Sequence, residues 1–165
     1  MARYSASWSS VTAAALADTV AATNATYPGS LRGGGASVLG KINEVSISGM
    51  EASAANATDF ILARASTVSV GALSVGTNAL VDVQSTAPGT VFSWGNTAAT
   101  SGAQRSSTLY LLQPGVNCYR GVYRWQARPG EEITLFGNAA NAGEVLLSAK
   151  TGTGKSSGHI LYEVV

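Results

Sequence analysis

GEVLLSAKTGTGKSSGHILYEVV, residues 143–165, is the stretch whose reading decides the fold. An apolar run, a glycine-rich turn and Gly154-Lys155-Ser156 could form a phosphate-binding loop between a strand and a helix. The same residues could equally form a turn between two strands. A phosphate loop has the spacing G-x-x-x-x-G-K-[ST] and opens a helix whose N-terminal amides hold the phosphate. Its first glycine would fall at Ala149. The nine residues after Ser156 read as a turn and a strand, because Ile160, Tyr162 and Val164 share one parity. The stretch therefore predicts a hairpin, with GEVLLSAK pairing against HILYEVV through a glycine-rich turn.

The same period recurs along the chain. In INEVSISG, Val45 and Ile47 alternate with serines. Val81 and Val83 flank Asp82, and Ile133 and Leu135 flank Thr134. Such alternation marks strands with one buried face. DFILARA and TLYLLQ are more uniformly apolar and predict strands buried on both faces. Pro28-Gly29, Gly33-Gly34-Gly35, Pro88-Gly89, Pro114-Gly115 and Pro129-Gly130 punctuate these runs with turn chemistry. Eight to ten short strands without a long helix predict an all-β fold: a single jelly-roll-like antiparallel β-sandwich. Residues 37–165 form the sandwich in this reading. Residues 1–36 form an extended N-terminal arm of the same unit, with a Gly-rich loop over 27–36. The alanine-rich stretch Val11–Ala22 leaves helix and strand both open. A second long loop is expected over residues 95–107.

Composition narrows the function classes. Charged residues make up only 12% of the 165 residues, hydrophobic residues 45%, and the net charge is +1. That balance fits a weakly charged folded domain and argues against disorder. It also argues against nucleic acid as the principal ligand, which calls for a cationic surface. One cysteine, Cys118, excludes an internal disulfide and suits a reducing compartment. Without an apolar export segment in the first residues, the expectation is synthesis in a host cytoplasm, with no membrane partner.

The residues that carry chemistry in other proteins are sparse and scattered here. His159 is the only histidine, whereas a zinc site or a catalytic triad needs a histidine with partners. Glu131 and Glu132 are neighbours, and on a strand they would face opposite ways. Cys118 reads as a small buried hydrophobe. No enzyme activity, cofactor, metal or small-molecule substrate is expected. Trp94 with Asn96 is the one group that would suit a glycan.

One segment is richer. In YRGVYRWQAR, Tyr119, Tyr123, Trp125 and Ala127 share one face, and Arg120, Arg124 and Arg128 share the other. Successive arginines would stand about 13 Å apart along a strand, too wide for one small anion but suited to separate ion pairs with a protein neighbour.

The string YRGVYRWQARPGEEITLFG resembles a recurrent pattern in small tailed-phage virion proteins of the head decoration, or cement, type. KINEVSISG, DFILARAST, APGTVFSW and the closing pair of apolar segments are similar to further pieces of that pattern, which covers most of the chain after about residue 38. The resemblance implies a jelly-roll-like sandwich on the capsid exterior of a virion. It would act as a homotrimer that binds the major capsid protein across capsomer junctions. The alternative is a jelly-roll tail or fibre module that binds host glycans. On the cement reading the expected contact residues are Tyr4, Trp8, Tyr27, Leu31, Arg32 and Arg105 in the N-terminal segment and long loops, with Arg120, Arg124 and Arg128.

Overall fold

A computed structural model describes residues 2–22, 27–34, 38–52, 57–70, 73–75, 77–81, 92–98, 101–137 and 143–165. Within them lie thirteen strands and no helix. The strands are β1 (Ala2–Ala13), β2 (Gly29–Gly33), β3 (Leu39–Gly49), β4 (Ala57–Thr67), β5 (Leu73–Val75), β6 (Thr77–Leu80) and β7 (Phe92–Ala98). They continue with β8 (Gln104–Leu112), β9 (Gly115–Asn117), β10 (Val122–Gln126), β11 (Ile133–Phe136), β12 (Glu144–Thr151) and β13 (Gly154–Val164). Sheet A has the order β10-β3-β13-β1-β6, with β11 also on β3. Sheet B has the order β5-β7-β2-β12-β4-β8, with β9 also on β4. Every ladder between these strands is antiparallel. The two sheets pack face to face as a β-sandwich.

The core follows from strand parity. Sheet A contributes Tyr4, Ala6, Trp8, Ile42, Val45, Ile47, Ile160 and Tyr162, while sheet B contributes Leu31, Phe60, Leu62, Phe92, Trp94, Val145 and Leu147. Tyr4 stacks on Tyr162 with ring centroids 5.3 Å apart, and Trp8 lies 5.8 Å from Trp94 across the interior. The Trp94 ring covers Gly29, where a Cβ would come within 2.7 Å of it. A side chain at that position would displace the indole from the core.

The closing stretch does not form a hairpin. β12 lies in sheet B between β2 and β4, and β13 lies in sheet A between β1 and β3. Both edges of each strand are taken, so neither can pair with the other. Gly152, at φ 78°, turns the chain from one sheet to the other. Gly154-Lys155-Ser156 are the first residues of β13 itself, not a phosphate loop. A Cβ on Gly154 would approach the Cys118 sulfur to 2.2 Å, so the crossing is built on a glycine.

The N-terminal segment is no free arm. β1 is an interior strand of sheet A, paired to β13 on one side and β6 on the other. Residues 27–36, expected as a loop, contain β2, held between β12 and β7. Residues 95–107, the other expected loop, contain the end of β7 and the start of β8. After Ala13 the chain forms neither helix nor regular strand. It bridges to Ala149 at Ala15 and to Gln104 at Ala21, and so crosses the outer face of sheet B. Leu16, Ala22 and Tyr27 pack there against Ala65, Ala103 and Leu146 as a second, smaller core.

That strap explains the burial of β12 and β4. Both are covered by sheet A inside and by the strap outside, so Phe60–Ala63 and Glu144–Ala149 are buried throughout. The apolar reading of DFILARA therefore holds. TLYLLQ belongs instead to the second half of β8, an edge strand, where residues 108–112 are half-buried or exposed and Leu109 is 38% exposed. Val83, Asp82 and residues 87–91 of APGTVFSW lie outside the described residues.

Candidate functional site

The outer face of sheet A has no such cover among the described residues. Its composition follows from register. Arg124 lies opposite Ser46, Ser46 opposite His159, and His159 opposite Ser7, making one row across four strands. Gln126, Glu44, Leu161 and Ser5 make the next row. Small hydroxyl residues thus surround three charged or ionisable groups.

Those three groups meet. Arg124 Nη2 donates to Glu44 Oε2 at 2.7 Å, and His159 Nε2 lies 3.0 Å from Glu44 Oε1. The Glu44 side chain is only 8% exposed although it stands on the outer face. The Arg124 guanidinium holds its carboxyl below the usual carboxylate range, against the upward push of burial, and His159 adds to the lowering. From sequence, His159 was expected without a carboxylate beside it. The carboxylate comes from Glu44, brought alongside only by the pairing of β3 with β13.

Beside this cluster is a cleft of about 340 Å³. β10 and β11 run in the same direction along one edge of β3, as if they were one strand. The chain between them leaves the edge and arches over the face. Pro129 and Glu132 from that arch form one wall, and Arg3 and Val81 stand opposite. Glu44 and Glu163 are among the floor residues. Glu132 steadies the arch by accepting the Gly130 N–H at 3.1 Å, which holds its carboxyl below the usual range.

The edge itself is the other feature. The exposure of β10 alternates, with Val122, Arg124 and Gln126 outward and Tyr123 and Trp125 packed against the core. Arg120 and Arg128 are exposed at its two ends. Arg120 stacks on the Tyr119 ring at 5.0 Å. The expected division into an aromatic inner face and an outward face therefore holds over Val122–Gln126, whereas Tyr119, Arg120, Ala127 and Arg128 lie outside the strand and Tyr119 pairs with Arg120 instead of joining the core.

The other expected contact residues lie elsewhere. Tyr4, Trp8 and Leu31 belong to the main core and Tyr27 to the small core under the strap. Their side chains are buried in the chain's own interior because β1 and β2 are central strands. Arg105 is fully buried. Its Nε donates to Asp18 at 2.7 Å and its Nη1 to Ser148 Oγ at 2.7 Å, while Nη2 donates to the Leu16 carbonyl. It ties the strap to sheet B and faces no solvent. Arg32 is half-buried and donates to the Ser69 carbonyl and, at 3.1 Å, to the Ser69 hydroxyl. Ser69 in turn donates its N–H to the buried Glu144 at 2.7 Å. The Tyr27 hydroxyl nearby is pushed up to about 12 by burial and by the Glu144 charge, which Ser30 offsets only in part. Trp94 and Asn96 are buried as well, and the indole N–H donates to the Ser7 carbonyl at 2.9 Å, so this pair offers no exposed platform to a sugar.

No family model, curated protein or solved structure matches the chain.

Proposed function

We propose that the protein is a structural virion protein, a decoration or cement protein. On this reading it binds the exterior of a phage head across junctions of the major capsid protein, as a homotrimer. The observation that carries the reading is a series of exposed arginines along one margin of an uncovered sheet face, with Arg124 on the outward face of β10 and Arg120 and Arg128 in the segments that flank the strand. Arginine forks on a rigid strand suit ion pairs and hydrogen bonds with a protein neighbour. The serine-rich rows beside them allow close approach of another surface. The resemblance of YRGVYRWQARPGEEITLFG to cement-type proteins supports the same assignment. Symmetric repetition over a shell would convert modest contacts into tight overall attachment.

Light scattering of the purified protein, followed by co-sedimentation with capsids that lack it, tests the proposal. The expected outcome is a trimer that pellets in fixed ratio to the major capsid protein. A protein that stays in the supernatant at every concentration of capsid would refute it.

A further inference from the structure

The free edge of β10 can be read group by group. Its register to β3 continues at both ends, where the Ala127 N–H donates to the Asn43 carbonyl at 2.9 Å and the Gly49 N–H to the Gly121 carbonyl at 2.8 Å. Hydrogen-bonded pairs alternate in an antiparallel ladder, so Tyr123 and Trp125 also bond to β3. The N–H and C=O groups of Val122, Arg124 and Gln126 therefore point away from the sheet. Among the described residues no strand but β3 pairs with β10. Val122 is 72% exposed. Natural edge strands of this kind are often blocked by a proline or a bulge, because an open edge templates another strand. Here the arch that carries Pro129 leaves after Gln126, and β10 itself is regular.

We propose that this edge receives an extended acidic segment of a partner protein by strand addition. The inference rests on the reading of the chain as a partner-binding virion protein. Main-chain bonds would come from Val122, Arg124 and Gln126, and Arg120 and Arg124 would select carboxylates. Arg124 spends one nitrogen on Glu44, and its side chain remains 61% exposed with further N–H donors. The acids of the arch, Glu131 and Glu132, sit at the far end, so the Arg120 end of the edge is the cationic one. A second copy is a poorer occupant. Two-fold pairing centred on Arg124 would set that arginine against its own mate, and like charges directly opposed are destabilising.

Val122→Pro tests this directly. It deletes an N–H that faces solvent and leaves the bonds to β3 in place, as prolines on edge strands do. Binding is measured to capsids, and by fluorescence anisotropy to a short synthetic peptide of alternating threonine and glutamate, with the glutamine peptide alongside. Circular dichroism and thermal melting verify the fold, and Arg120→Glu serves as a second variant outside the ladder. The expected result is a loss of affinity of about tenfold or more in either variant for both partners, with the glutamine peptide weak throughout. If capsids bind wild type and both variants equally, the edge assignment falls and the virion reading stands. If capsids never bind but the glutamate peptide does, and Val122→Pro abolishes that, the virion reading falls and the edge assignment stands. If neither partner binds wild type, both fall. A dimer that Val122→Pro converts to monomer would make the occupant a second copy and overturn the acidic partner.

Discussion

The outer faces of the two sheets meet opposite fates. Sheet B is roofed by the chain itself. The strap over residues 14–22 carries Leu16 and Ala22 onto Leu146 and Ala65, and Arg105 of β8 grips it through Asp18 and the Leu16 carbonyl while also holding Ser148 of β12. Sheet A carries its own charged cluster, Arg124–Glu44–His159, on a face that no described segment covers except the arch beside it. Both clusters contain an arginine and a carboxylate, yet the physics differs. Arg105 is fully buried and has given up water altogether, so its hydrogen bonds must hold for the fold to hold. Arg124 remains mostly in water, and its pair contributes little to stability. The first arrangement is a device of folding. The second leaves its arginine free to exchange water for a partner.

Arg105→Met gives the sharpest break of this contrast. It removes one of the three groups that bond Asp18, leaves Ser148 and the Leu16 carbonyl without their arginine donor and frees the strap, and we expect a loss of about 3–5 kcal/mol in urea unfolding. A loss below about 1 kcal/mol would mean that the strap is not held by this pair. Next come two leucines on the two outer faces. Leu146 is buried under the strap, so Leu146→Ala should cost about 2–5 kcal/mol. Leu161 lies on the open face beside Glu44, and Leu161→Ala should change stability by no more than about 0.5 kcal/mol. Equal costs for the two would show that the face of sheet A is covered in solution.

The smallest effect is in pH. Burial pushes the Asp18 carboxyl up, but hydrogen bonds from Tyr110, Arg105 and Lys150 outweigh it and bring it below its usual value of 3.8. Glu44 is likewise held below 4.5. A carboxyl lowered in the folded state adds stability that is complete above its unfolded value and is lost as pH falls through the folded one. Thermal melting between neutral pH and pH about 3 should therefore show a falling midpoint, and Asp18→Asn should start lower and fall less. A variant that keeps the full acid sensitivity would remove Asp18 from the account.

Much of the strand pattern was legible because period two needs only neighbours. Val45 and Ile47, Ile160 and Tyr162, and Tyr123 and Trp125 all face the core as their parity requires. The outward place of Arg124 was legible for the same reason. Glu44 beside His159 was not, since the two residues are 115 positions apart and meet only through ladder register. Arg105 was misread as a contact residue because a buried arginine and an exposed one look alike in sequence. What separates them is Asp18 and the Leu16 carbonyl from the strap and Ser148 from β12, gathered from two distant segments.

The sequence by itself determined that the chain would be all-β, which faces of its strands would be apolar, and that Gly154-Lys155-Ser156 would not be a phosphate loop. Those follow from side-chain alternation and local backbone chemistry. Only the tertiary structure decided that β12 and β13 part into different sheets, that the N-terminal segment is an interior strand, and which arginine is buried and which open. Those depend on how strand edges compete for partners, and that competition joins residues the chain keeps far apart.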